Sequence, residues 1–104
     1  MHPSKAKGNR LEREVVKMAQ DNDLIAERAY GSNGKSLGLE EDVDVKIDTW
    51  SKENGPNMYA VQCKSRKSIA DYIKPPDSCD FTVVKENRGE PLAVIPLKRL
   101  LELL

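Results

Sequence analysis

Apolar and polar residues alternate with a period of two in two stretches near the middle of the chain. Across Glu40 to Ile47, Val43, Val45 and Ile47 alternate with Asp42, Asp44 and Lys46. Across Met58 to Lys64, Tyr59, Val61 and Cys63 share one face, while Ala60, Gln62 and Lys64 share the other. This period is the signature of a strand that turns one face to a core. The connection between them, Asp48 to Asn57, carries Asn54-Gly55-Pro56-Asn57, which is strong turn chemistry. It is too short for a crossover helix, so the two stretches are predicted to pair as an antiparallel hairpin.

Upstream the period changes. Leu11, Val15, Val16, Met18 and Ala19 fit one face of a helix predicted from about Gly8-Asn9 to about Asp21, closed by Asn22-Asp23. Met1 to Lys7 is polar and basic and is expected to be loosely ordered. Leu24 to Tyr30 reads as a strand, or as a passage from helix to strand. Gly31 to Ser36 reads as a flexible loop, and its spacing is not that of a Walker A motif. Beyond the hairpin, Ser68 to Ile73 allows about one helical turn, halted by Pro75-Pro76. Phe81 to Lys85 and Leu92 to Ile95 read as strands around the turn Glu86 to Glu90, and Leu97 to Leu104 as a short helix. This order of elements predicts an α/β or mixed α+β fold with a central mixed sheet flanked by helices.

A chain of 104 residues is expected to form one domain with a modest core. Lys plus Arg equals Asp plus Glu at 17 each, which excludes a polycation that binds nucleic acid by bulk charge. The charges are nevertheless segregated. Basic residues gather at Lys5 to Lys17, at Lys64 to Lys67 and near the C-terminus, and acidic ones at Glu40 to Asp44. A basic surface around an acidic pocket is compatible with this pattern. No apolar run reaches the ~20 residues that span a bilayer, and no signal-peptide core is evident, so an intracellular, cytoplasmic protein with reduced thiols is expected. Two cysteines and the single histidine, His2, argue against structural zinc.

The candidate chemistry lies on the polar side of the hairpin. Pairing the strands sets Asp44, Gln62 and Lys64 together, with Asp42 on the same face as Asp44. Carboxylates, an amide oxygen and a lysine in one place suit metal-dependent phosphodiester hydrolysis. Glu12 falls inside the apolar arc of the first helix, where a carboxylate needs a partner. Alternatively it caps the helix, three residues after Asn9. The bland reading of Asp42 and Asp44 is a solvated strand face, and that of Lys64 is a salt bridge to one of them. The loop residues Ser32 and Lys35 either contact phosphate or belong to a plain loop.

In order and spacing these motifs resemble the archaeal-type Holliday-junction resolvases of the PD-(D/E)XK nuclease superfamily. The likeness rests on Lys7-Gly8 followed by Glu12-Arg13, the Gly31-Ser32 loop, the aspartate-bearing strand and Lys64-Ser65-Arg66-Lys67. The closing strands and Ile95-Pro96-Leu97 extend it over most of the chain. The resemblance implies a restriction-endonuclease-like core and a single nuclease domain. It makes Glu12 a ligand of the metal or of its water, Asp44 or Asp42 the central metal ligand, Lys64 the active-site lysine, and Ser32 a residue near the scissile phosphate. Asp44 is preferred over Asp42 because it sits deeper in the strand, and Asp42 is then an auxiliary acid.

Two departures stand out. Gln62-Cys63-Lys64 puts an amide where the family carries a carboxylate, a variant similar to the Gln-x-Lys of Mrr-type restriction nucleases. The helix after Lys64 is also shortened, to Ser68–Lys74. The expected activity is Mg2+-dependent cleavage of branched DNA, with Mn2+ as a substitute metal. Lys7, Arg13, Lys35, Arg66 and Lys67 are assigned to DNA contacts. Paired cuts imply a homodimer, and the terminal leucines are available either for its interface or for the core. Competing expectations are a restriction or nicking endonuclease on duplex DNA, a catalytically silent DNA-binding module of the same fold, and a plain structural domain. The compact form would suit a virus or mobile element.

Overall fold

The computed structural model of the chain describes residues 3–29 and 33–104, with side chains described from residue 9 onward. It divides into two compact units, Met1–Ser65 and Arg66–Leu104.

The first unit is a long helix on a three-stranded sheet. Helix α1 spans Pro3–Asp21. It therefore starts some five residues before the predicted Gly8-Asn9, taking in residues expected to be loosely ordered. Proline opens it where a missing N–H removes no hydrogen bond. Glu12 is consequently well inside the helix, and the capping reading does not hold. Val15 and Ala19, one helical turn apart, are buried at 4% and 0% exposure. The helix ends in a double turn. Leu24 N–H donates to Ala19 O and Asp23 N–H to Gln20 O, with Asp23 in the left-handed region at φ 61, the pattern of a Schellman closure.

Strands β1 (Ile25–Arg28), β2 (Val45–Ser51) and β3 (Gly55–Val61) follow in the order β1-β2-β3, both pairings antiparallel. The hairpin is tighter than its sequence suggests. Its strands continue to Ser51 and from Gly55, so the turn is three residues long, not ten. Gly55 supplies φ 67, which a side chain would resist, and Ser51 Oγ accepts the Asn54 N–H at 3.0 Å. Pro56 lies within β3, which is tolerable because β3 is an edge strand. The α1 side of the sheet holds the core. Helix α1 packs on β1 and β2, and Val45 and Ile47 are buried at 0% and 2%.

Glu40 to Asp44 does not begin β2 as the alternation predicted; residues 40–44 form a turn and an extended lead-in. The cause is a close approach upstream. Gly34 opens a 3-10 turn, Gly34–Leu37, and is buried. A Cβ at this position would fall onto the carbonyl oxygen of Glu40 and lie 2.8 Å from Val43 Cβ. The loop is thus folded back against residues 40–43, and Asn33 caps the turn by accepting the Lys35 N–H at 3.0 Å.

The second unit is slighter. A 3-10 turn at Asp71–Ile73 precedes the hairpin of β4 (Thr82–Val84) and β5 (Leu92–Val94), and α2 covers Leu97–Leu103. Lys74 leaves the turn in extended conformation, as a residue before Pro75 must. Leu101 is its one fully buried apolar residue among those described. The fold is a small α+β arrangement. Its described sheets are two and both antiparallel, in place of the one central mixed sheet expected. No helix among the described residues is long and apolar enough to cross a membrane.

Candidate active site

Just before β2 the pairing with β1 runs on one rung, while the pairing with β3 shifts by one residue. Ala29 N–H donates to Asp44 O at 2.9 Å, and Asp44 N–H donates to Val61 O at 2.8 Å. Val45 already stands opposite Val61 in the ladder, so two consecutive residues, Asp44 and Val45, face Val61, as at a β-bulge, and the regular pairing of β2 with β3 ends there. Asp44 is half-buried and Gln62 exposed. Asp44 Oδ2 accepts the backbone N–H of Cys63 at 2.7 Å, a short charge-assisted bond that fixes the carboxylate at the end of β3. Its other oxygen has no hydrogen-bond partner among the described residues.

Glu12 reaches this end of the sheet from α1. It is 1% exposed, the one buried charged residue among those described. Its Oε2 lies 3.5 Å from Arg28 Nη2 on β1, which supplies the countercharge that a buried carboxylate requires. Arg28 Nε is itself buried without a hydrogen-bond partner among the described residues.

Cys63 ties the two carboxylates to one place. Burial pushes its thiol up from the ordinary 9.0 to about 11, and the negative charges of Asp44 and then Glu12 add to the effect. The geometry agrees: Asp44 accepts the Cys63 N–H, and Glu12 pairs with Arg28, which stands opposite Val45 at the same end of the sheet. Lys64 is exposed. No ion pair engages it among the described residues, so the salt bridge to Asp42 or Asp44, its bland alternative, is not seen.

The other predicted residues scatter. Asp42 is exposed on a turn rather than on the strand face beside Asp44. Arg13 is exposed on α1. Lys35 Nζ is 3.6 Å from Glu41 Oε1, an exposed pair. Arg66 and Lys67 are exposed and belong to the second unit. Ser32 and the side chain of Lys7 lie outside the described residues. Among the described residues, no three His, Cys, Asp or Glu side chains gather into a metal-holding group.

Arg28 is the residue that the sequence reading passed over. Its one signal was indirect: a glutamate on an apolar helical arc demands a cation, but nothing local says which. No protein-family model matches the chain, and neither a curated protein nor a solved structure matches it.

Proposed function

We propose that the chain is a metal-dependent DNA endonuclease with a restriction-endonuclease-like core, similar to the archaeal-type Holliday-junction resolvases. The observation that carries this reading is the convergence at one end of the first sheet. Asp44 accepts the Cys63 N–H at 2.7 Å, and Glu12 and Asp44 both act on Cys63, the residue between Gln62 and Lys64. A solvated strand face explains neither the buried Glu12 nor the anchoring of Asp44.

The donor set suits Mg2+, which takes hard oxygen ligands and keeps several waters. Asp44, through the oxygen not used by Cys63, and the Gln62 amide oxygen would hold it. When bound there, the metal lowers the pKa of a water and offsets charge on the scissile phosphate. Glu12, with Arg28 as its countercharge, orients water at the site. Lys64 places a positive charge where the pentacovalent state gathers negative charge. Exposed Arg13, Arg66 and Lys67 offer phosphate contacts, which position DNA without reading its sequence. Structure-selective cleavage by a homodimer follows better from this set than tight sequence recognition.

A labelled four-way junction beside linear duplex, with Mg2+ or Mn2+, tests the proposal. The wild type is expected to nick the junction in pairs, and Asp44→Asn and Lys64→Ala to abolish cutting. Cutting of linear duplex as well would shift the reading to a restriction or nicking enzyme. A second reading, a silent DNA-binding module of this fold, has its own support: one Asp44 oxygen is occupied by Cys63 N–H and Glu12 by Arg28. Binding without cutting at any metal concentration would favour it.

A further inference from the structure

Asparagine precedes glycine twice in this chain, at Asn33-Gly34 and at Asn54-Gly55. At such a step the glycine nitrogen can attack the side-chain amide before it, because no β-carbon obstructs the five-membered ring that closes. The surroundings decide whether a given step reacts, and here they are opposite. At the first step both partners are held. Asn33 Oδ1 accepts the Lys35 N–H at 3.0 Å, and the Asn33 carbonyl accepts the Ser36 N–H at 3.1 Å and the Ser36 hydroxyl at 3.0 Å. Gly34 is buried, and a Cβ on it would run into Glu40 and Val43. The Asn33 amide reaches the Gly34 nitrogen only by giving up its cap on the 3-10 turn. At the second step the side chain is unrestrained. Asn54 is exposed at the tip of the β2–β3 hairpin, and its side-chain amide has no hydrogen-bond partner among the described residues. Its backbone N–H donates to Ser51 Oγ at 3.0 Å, which steadies the main chain and leaves the amide free to turn. A Cβ at Gly55 would meet nothing within 4 Å, so there is room for the ring and for water.

We propose that Asn54 is a site of covalent self-modification, at which the folded chain converts to aspartyl and isoaspartyl forms and loosens the β2–β3 turn. The Gly55 nitrogen, on losing its proton to base, bonds to Cγ of Asn54. The Cγ–Nδ2 bond breaks, and the nitrogen leaves as ammonia. Water then opens the imide ring, at Cγ to give aspartate or at the main-chain carbonyl carbon of Asn54 to give isoaspartate. Base and water are the only reactants, and the inference is independent of the proposed nuclease activity. The change falls where the fold is sensitive. Residues 52–54 are the whole of the turn, and turn length sets the register of a hairpin. Isoaspartate inserts an extra methylene into that main chain, and either product places a carboxylate beside Glu53. Strand β3 leads from this turn towards the Cys63 N–H that holds Asp44.

Mass mapping of the full chain during incubation at mildly alkaline pH tests this, with labelling by an isoaspartyl carboxyl methyltransferase as a second readout. Asn54 is expected to convert at least about tenfold faster than Asn33, the factor that breaking one or two hydrogen bonds adds to the barrier. In urea strong enough to unfold the chain, the two steps are expected to convert at similar rates, because only the fold tells them apart. Asn54→Gln, whose attack would need a larger ring, is expected to keep its circular dichroism spectrum and lose most of the methyl label. The isoaspartyl form is expected to unfold at lower urea than the parent. Asn54→Asp, which carries the charge without the methylene, is expected to unfold with the parent. Equal rates at the two steps in the folded chain, or a preference that survives in urea, overturns the proposal. Label that persists in Asn54→Gln overturns the site, and an isoaspartyl form as stable as the parent overturns its effect on the turn. None of these readouts needs DNA or metal, so a failed cleavage assay and a failed modification are told apart.

Discussion

The two units of this chain are built to different standards of burial. In the first, Val15, Ala19, Ala29, Val45 and Ile47 are buried with Glu12 among them; in the second, Leu101 is the buried apolar residue among those described. The second unit also leaves Tyr72, Phe81, Val83, Leu92 and Leu103 at least half exposed. A two-stranded hairpin with a seven-residue helix falls below what holds itself together through a core. The difference shows where rigidity is spent. Glu12, Asp44, Gln62 and Lys64 all belong to the unit with the core. Geometry that must hold to fractions of an ångström is placed on rigid elements. The second unit contributes Arg66 and Lys67, whose proposed contacts tolerate movement.

The comparison breaks most sharply by substitution. Gly34→Ala drives a methyl group into the Glu40 carbonyl, an overpacking expected to cost about 3 kcal/mol. Val45→Ala empties a fully buried site and is expected to cost about 2–3 kcal/mol. Val83→Ala in the second unit, 59% exposed, is expected to cost no more than about 0.5 kcal/mol. Urea denaturation measures all three, and equal losses at Val45 and Val83 would refute the contrast.

The same residues show how far the sequence could be read. The hairpin was legible because Val45 and Ile47 alternate with charged residues over a buried face. Its length was not, because past Ile47 the pattern loses contrast: Trp50 faces outward and Thr49 lies on the helix side. Pro56 read as a break, yet an edge strand needs no N–H there. The alternation at Glu40 to Asp44 was real but misleading, since Gly34 holds that segment in a loop, and a contact across the loop leaves no local trace. Helix α1 was legible from its apolar arc and hidden at its start, where the residues are polar. Of the candidate site, the nearness of Asp44 to the end of β3 followed from counting along paired strands, although the bulge there displaces it from a rung with Gln62. The partner of Glu12 did not, because Arg28 lies sixteen positions away on another element.

Cys63 reports on the convergence of the acids directly. Its thiol is raised to about 11, so at pH 8 it should react with a disulfide reagent far more slowly than exposed Cys79. Asp44→Asn removes the second largest cause of the shift and is expected to speed that reaction. The sign for stability follows by linkage. A raised folded-state pKa contributes stability that is complete below about 9 and is lost as the pH climbs towards 11. The difference between wild type and Cys63→Ala should therefore narrow over that interval, as read from denaturation midpoints at each pH. A Cys63 that reacts as fast as Cys79 would separate the carboxylates from it.

Amide exchange sharpens the contrast without any substitution. Amides of β2, paired on both sides under α1, are expected to exchange last, near the limit of global unfolding. Those of β4 and β5, each paired on one side only, should exchange at least tenfold faster through local opening. Equal protection would mean that the second unit is held by more than its own core.

The smallest expected effect lies where α1 meets β1. Asp23 sits in the left-handed region at φ 61 because the double-turn closure needs that conformation at this position. An aspartate reaches it against the clash of its Cβ, whereas glycine reaches it without one. The side chain of Asp23 is exposed and has no hydrogen-bond partner in the described residues that would be lost. Glycine also adds freedom to the unfolded chain, which takes back part of the gain. Asp23→Gly is therefore expected to stabilise the fold by about 0.5 kcal/mol, a small rise in the denaturation midpoint with an unchanged slope. Because the gain is confined to the seam between helix and sheet, it should slow exchange in α1 and β2 and leave β4 and β5 as they were. If all strands slow together, the two units unfold as one, and the difference in their cores governs only local opening.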